Sequence, residues 1–368
     1  MKNLLVAMVL GAALAGSASA QIVVGQTASF SGPVAAGVTE TAEGAKLYID
    51  KVNANGGVNG QTIELLSMDD KFDPALTVKN ARTLIVDKKV VALFLVRGTP
   101  QTLALMPLLA EHRVPLVAPS TGAMLLHRPV NPYIFNVRPS YQHEAERVVK
   151  HLSLVGMDRI AVLQADDSFG ADAVIGALAG FKSVNREPVL VERFSRVNPD
   201  FAPLAAKVTK AKAQAVLFIG SGTMVVDGTK AIRAAGSGAQ IVTLSNNAAS
   251  GFIKAMGSNA RGAIVSQVFP YERSVAFLIV KEALELAKAK NIGDISPALL
   301  EGYAAAKVLV EGLRRAGAKP TREKLIAALN GLNKFDIGGL EVSYSPGNHT
   351  GLSFVDLSII GADGKFRR

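Results

Sequence analysis

Apolar residues along this chain fall into short runs that alternate with stretches of helical spacing. Residues 22–27, 62–67, 90–96 and 114–118 are brief, rich in β-branched side chains and closed by turn formers, which predicts four strands. Between the first two, residues 39–54 carry Ala42, Ala45, Ile49 and Val52 at helical spacing and stop at Asn55-Gly56-Gly57. Asp73-Pro74 supplies an N-cap and first-turn proline for a helix that places Val78, Ala81 and Ile85 on one face. Thr99-Pro100 opens another helix, with a kink expected at Pro107. The rhythm restarts after Arg138-Pro139, with strands expected over 159–164, 188–192, 215–219, 240–244 and 263–267. Helices are expected from Asp167-Ser168, from Asp200 to about Lys212 and over 227–235, then over 274–289, 297–316 and from Thr321. At the end, 340–344 and 353–360 flank the turn Ser345-Pro346-Gly347-Asn348 and read as a hairpin or a pair of crossing strands. Such alternation implies an α/β fold in which parallel sheets are covered on both faces by helices. Two series imply two doubly wound lobes, and the absence of a low-complexity tether implies that several short segments join them.

The first twenty residues do not fit this rhythm. Met1-Lys2-Asn3, an apolar run over 4–16 and Ser17-Ala18-Ser19-Ala20 have the form of a cleaved signal peptide, with Gln21 as the mature start. The run is shorter than the about 20 residues a membrane span needs. Free export to a periplasm is therefore expected, because the chain has no cysteine for a lipid anchor. The lack of cysteine also excludes a disulfide scaffold, a cysteine nucleophile and a Cys-ligated zinc site. The net charge of +10 becomes +9 when Lys2 leaves with the leader. These charges are scattered and tryptophan is absent, which argues against nucleic acid and for attraction to anionic solutes or an anionic membrane surface.

In open parallel sheets, ligands gather beyond the carboxyl ends of the strands. The loops expected there are Ser29-Phe30-Ser31-Gly32-Pro33, Asp69-Asp70, Arg97-Gly98-Thr99, Pro119-Ser120-Thr121-Gly122, Asp166 to Gly170, Gly220-Ser221-Gly222-Thr223 and Ser245-Asn246-Asn247. They are rich in hydroxyls and glycine and hold little that is catalytic. A helix starting at Pro100 leaves first-turn N–H groups that favour an anion, and Thr99 with Ser120, Thr121 and Gly122 would complete a carboxylate cradle. Thr99 reads equally as a plain helix cap. Arg97 closes a very apolar run, which suits either a bidentate bond to a ligand carboxylate or a structural ion pair. Asp69-Asp70 suits turn and capping duty better than a metal. The five histidines are scattered, and there is no H-E-x-x-H, G-x-S-x-G, Walker loop or intact G-x-G-x-x-G, so neither a metal nor a cofactor is expected. Among the few aromatics, Phe169, Phe269, Tyr271 and Tyr303 are candidate walls for an apolar ligand body, with core packing as the alternative for each.

Several segments occur together in a telling order: Ser31-Gly32-Pro33, Asn53 to Gly60, Asp69-Asp70, Asp73-Pro74, Gly98-Thr99-Pro100 and Val114 to Ala123. Asp167-Ser168-Phe169-Gly170, Arg233-Ala234-Ala235-Gly236 and Glu301-Gly302-Tyr303-Ala304-Ala305 follow. In this combination, which spans nearly all of the mature chain, the sequence resembles the leucine/isoleucine/valine-binding protein family of periplasmic receptors for ABC transporters. The resemblance implies a type I periplasmic-binding-protein fold with three crossovers. One lobe would hold 21–139 and 268–340, the other 140–267 and 341–368, closing about a hinge. It implies a ligand carboxylate at Thr99 and Ser120 to Gly122, aromatic contacts from Phe169 and Tyr303, Ser221 where members place an aromatic, and Gly37 or its neighbour where they place a tyrosine.

The chain departs from that pattern in one loop. Amino-acid binders of the family place a glutamate near Ser245-Asn246-Asn247 to hold the ligand's ammonium, and here the loop has no acid. Either Asp166, Asp227 or Glu272 substitutes, or the ligand has no ammonium. The expected ligand is thus a small carboxylate, an organic acid with an apolar or aromatic body or else an amino acid. An ABC permease is the expected partner and a monomer the expected state. A sensory module for a membrane receptor is the alternative, and an enzyme is disfavoured for want of a nucleophile, metal or acid–base pair.

Overall fold

The computed structural model describes residues 21–368, so the expected leader at 1–20 lies outside the described residues. Five parallel strands form the first sheet: β1 (Ile22–Ala28), β2 (Ile63–Asp69), β3 (Leu93–Phe94), β4 (Leu116–Val117) and β5 (Ile134–Phe135), in the order β2-β1-β3-β4-β5. They alternate with α1 (Ala35–Ala54), α2 (Pro74–Arg82), which a π turn extends over Thr83–Asp87, and α3 (Thr99–His112), in which Pro107 is internal.

The chain then crosses to a second lobe. It runs through α4 (Tyr141–Leu154), β6 (Ile160–Ala165), α5 (Ser168–Ser183), β7 (Leu190–Phe194), α6 (Ala202–Lys210), β8 (Ala215–Ile219), α7 (Thr223–Ala234), β9 (Gln240–Thr243), α8 (Ser250–Met256) and β10 (Ile264–Gln267). A second crossing brings α9 (Leu278–Ala289), α10 (Pro297–Ala316), α11 (Arg322–Asn330) and the small ribbon β11 (Phe335–Asp336) and β12 (Glu341–Val342) back to the first lobe. A third crossing returns β13 (Asp356–Ile360), antiparallel to β10, and β14 (Phe366–Arg367), antiparallel to β13, which extend the second sheet in the order β14-β13-β10-β9-β8-β6-β7.

Each sheet is a layer between helices. In the first lobe, Leu47, Tyr303, Leu309 and Ile279 cover one face, while Ile85, Leu105 and Leu109 cover the other. The second lobe has one continuous core, including Val162, Phe181, Phe218 and Ile241. Among the described residues no helix is long and apolar enough to cross a membrane.

The structure revises three expectations. The final pair is not a hairpin: β12 pairs with β11, whereas β13 pairs with β10 in the other lobe. Val342, Tyr344 and Leu352 pack in the first lobe's core, so 341–352 belongs with that lobe and the last crossing falls later than expected. The sequence reading also passed over β5 and α4, although Ser140 caps α4 and Ala145, Val148, Val149 and Leu152 give it a buried face.

Candidate functional site

Loops following the carboxyl ends of strands in both lobes meet in the gap between them. The Thr223 N–H donates to the Pro33 carbonyl at 3.1 Å, and the Arg196 guanidinium lies 5.1 Å from the Phe72 ring centroid. Arg97 enters this gap because the backbone turns sharply beforehand. Leu95 and Ala118 have φ of 51° and 52°, left-handed values unusual for residues with a side chain. The turns end β3 and β4 sooner than their apolar runs predict. The two chains then pair again, Arg97 beside Ser120, with the Ser120 N–H donating to Val96 O at 2.8 Å.

The Arg97 guanidinium donates to Ser120 Oγ at 3.0 Å and, across the gap, to the Asn246 carbonyl at 2.6 Å. It is 5% exposed, and among the described residues no carboxylate oxygen lies within 4.0 Å of it. Burial pushes its pKa below the usual guanidinium value. Behind it, Ser120 Oγ donates to Glu301 at 2.7 Å. Arg138 lies between Glu144 at 2.7 Å and Glu301 at 3.5 Å, and also contacts the Ser245 hydroxyl. Glu144 further accepts from the Ser245 N–H at 2.9 Å and the Ser266 hydroxyl at 2.6 Å. Both acids thus contact Arg138 directly, whereas the direct hydrogen-bond partners of Arg97 are neutral and Glu301 acts on it from behind Ser120.

A cavity of about 100 Å³ lies against Arg97. Its walls come from the start of α1 (Val34, Ala36, Gly37), the start of α7 (Gly222, Thr223), Asn246 and Asn247, and Ala249, Phe252 and Ala255 at α8. None of the residues lining it is acidic. The first turn of α1 has no acidic residue and no side-chain cap, so the positive end of a 20-residue helix dipole borders the cavity. One turn further, Glu40 reaches the other lobe and accepts from the Ser250 and Gly251 N–H groups at 2.9 and 2.8 Å, capping α8. Asp172 of the second lobe answers by accepting from the Met124 N–H of the first at 3.0 Å. Burial raises its pKa.

Of the candidate residues, Arg97 and Asn246 line the cavity. Ser120 positions Arg97, and Ser221 Oγ accepts from Asn246 Nδ2 at 3.0 Å. The Thr99 and Thr121 hydroxyls bond each other at 2.7 Å, both are buried, and neither lines the cavity. Gly98, with φ of 101°, and Gly122 shape the backbone: a Cβ on Gly122 would lie 2.6 Å from the Pro139 carbonyl. Ser31 is turned to solvent and donates to Asp69 at 2.6 Å. Phe169 packs edge-on to Tyr141 and under Arg196 and does not line the cavity. Phe269 and Tyr303 lie in the first lobe's core, and the Tyr303 hydroxyl donates to Glu282 at 3.3 Å. The Tyr271 hydroxyl donates to the Phe366 carbonyl at 3.1 Å. None of the proposed substitute acids lines the cavity; Asp166 and Asp227 pair with Arg193 and Lys230, and Glu272 faces a different pocket.

The family model described as periplasmic binding protein matches residues 21–357. The chain belongs to the periplasmic binding protein family. It is 27% identical over 328 residues to the Leu/Ile/Val-binding protein homolog 3 of Brucella melitensis, covering 86% of this chain and 85% of that one. The crystal structure of a substrate-binding periplasmic protein from Ralstonia solanacearum superposes with a TM-score of 0.87 at 32% identity, covering 94% of this chain and 99% of that one. That of a possible leucine/isoleucine/valine-binding protein from Rhodopirellula baltica gives 0.88 at 26% identity, with 96% and 98% covered. The resemblance carried by the ordered motifs and the two-lobed α/β fold are both shown by these matches.

Within this periplasmic binding protein, sequence reasoning missed Arg138, Glu144, Glu301 and Glu40. Glu301 had a usable signal: it is a lone acid inside the apolar face of α10, the same kind of anomaly that marked Arg97. Glu40 had none, because its partners are backbone N–H groups of another lobe.

Proposed function

We propose that this chain is a periplasmic receptor that encloses a small carboxylate-bearing solute between its lobes and delivers it, unaltered, to the permease of an ABC importer. The observation that carries this reading is Arg97: a buried guanidinium at the wall of the interlobe cavity, held by a hydroxyl and a carbonyl but by no carboxylate. A ligand carboxylate pairs with that charge directly, and the positive end of the α1 dipole, with no side-chain cap, favours the same sign. An ammonium finds no acid in the wall, and an unpaired ammonium in a closed cleft is costly. The receptor acts as a monomer without a cofactor and breaks no bond; the second lobe closes over the ligand, and the permease reads the closed form.

Titration calorimetry with propionate, benzoate and leucine tests the reading. The plain acids bind and leucine does not, and Arg97→Gln weakens the acids by about a hundredfold, in line with the loss of a buried charge-assisted pair. Tight binding of leucine with none of the acids, or unchanged acid binding by Arg97→Gln, contradicts it.

A further inference from the structure

The edges of the two sheets that lie farthest from the lobe crossings are joined by a contact between side chains. The first crossing leaves the first sheet at β5, and the second and third meet the second sheet at β10 and β13. Phe72 follows β2 and Arg196 follows β7, the edge strands at the opposite ends of those sheets. Lobes that turn about the crossings part most at these two loops. Here the loops touch. The Arg196 guanidinium lies 5.1 Å from the Phe72 ring centroid in the other lobe and 5.4 Å from that of Phe169 in its own, both within the range of a cation–π contact.

Each partner is fixed by its own lobe. Phe72 has left-handed backbone, with φ of 65°; its N–H donates to Asp70 at 3.0 Å and its carbonyl accepts from the Gln101 amide at 2.8 Å. Its half-buried ring packs against Ala28, Val34 and Val38 of the first lobe and also against the core of the second. Arg196 pairs with Asp167, which caps α5 by accepting from the Phe169 and Gly170 N–H groups. The Arg196 side chain is 15% exposed, and a desolvated guanidinium is the stronger partner for a ring.

We infer that Arg196 and Phe72 form a clasp at the mouth of the cleft, which keeps part of the empty receptor closed. Both side chains are already ordered, so closing them together costs little further entropy. On opening, Phe72 leaves with the first lobe while Asp167 and Phe169 stay with Arg196, and ring and guanidinium return to water. The clasp acts whatever the cleft holds: a ligand that prefers the closed form adds to a closure already under way, and losing the clasp weakens any such ligand in proportion to the closed fraction lost.

The test uses the full chain, freed of bound solute by unfolding and refolding, with nitroxide labels at Lys79→Cys on α2 and Lys182→Cys on α5. Both positions are exposed, one on each lobe, and the natural chain has no cysteine. Pulsed electron resonance reads the distance between the labels with no solute added. A short, closed distance is expected in this parent, and its share relative to the long distance falls about fivefold in Phe72→Leu. Arg196→Gln does the same, and the double variant goes no further than either change alone, because each removes the same contact. A single long distance in the parent, an unchanged ratio in a folded Phe72→Leu, or a double variant whose effect is the product of the two overturns the clasp. The carboxylate reading rests on ligand titrations and stands or falls separately. Phe72→Leu decides between a clasp and a brace within the second lobe, since it leaves Asp167 and Phe169 on Arg196; should it not fold, the parent distances and Arg196→Gln decide.

Discussion

Several buried side chains leave polar atoms unpaired among the described residues, and two of them, Asn246 and His127, differ in their surroundings. Asn246 borders a cavity, whereas His127 follows a short 3-10 turn, is 1% exposed and has no hydrogen-bond partner at either ring nitrogen. Burial first, then the charges of Arg138 and Arg128, push the His127 pKa down to about 4 from an ordinary 6.5. Folding therefore favours the neutral ring. Its contribution is complete above pH 6.5 and is lost as the pH falls toward 4, on the order of 3 kcal/mol in all. Urea unfolding across that range should show His127→Leu losing less stability on acidification than wild type by about that amount; parallel pH curves would contradict it. At this scale the sequence was legible where a residue broke its local pattern, as Arg97 does in an apolar run. It was not legible where two environments use the same residue type. Tyr303 beside Tyr48 in a core and an aromatic facing a ligand read alike, because aromatic side chains serve both. Thr99 and Thr121 carry suitable hydroxyls, but only the fold shows that each satisfies the other.

The first lobe depends on a close crossing of α1 and α10. A Cβ on Gly44 would lie 1.9 Å from the Leu299 carbonyl oxygen, and one on Gly302 would lie 1.7 Å from that of Thr41. Neither position has room to relax, because the obstacle is helix backbone. Gly44→Ala should cost about 3 kcal/mol or more in thermal or urea unfolding. Gly293→Ala, whose Cβ would meet nothing within 4 Å, serves as the neutral control; equal stabilities would contradict the account of the crossing. The crossing also aims the start of α1 at the cavity. Elements of ordinary length were readable from period alone: β6, β8, α10 and the capping of α2 by Asp73 follow their apolar spacing and turn chemistry. The discrepancies have local causes. β3 and β4 stop early because Leu95 and Ala118 take left-handed backbone, and β5 is two residues long, too short for any periodicity.

Across the whole molecule, the three crossings let two separately cored lobes face each other, and each lobe lends a carboxylate to the other's backbone. Glu40 caps α8, and Asp172 holds the Met124 turn. These contacts close the gap at two places around a cavity whose only charged lining residue, among the described residues, is Arg97. The two-lobed plan was legible because alternating strand and helix signals repeat across the chain, but the third crossing was misplaced, since 341–352 looks like strand wherever it packs. A crystal structure of the protein grown with the tightest-binding carboxylate tests the central claim most directly. The account predicts carboxylate oxygens within hydrogen-bond distance of the Arg97 guanidinium, enclosed by both lobes. A ligand seated elsewhere, or one whose carboxylate points away from Arg97, would contradict it.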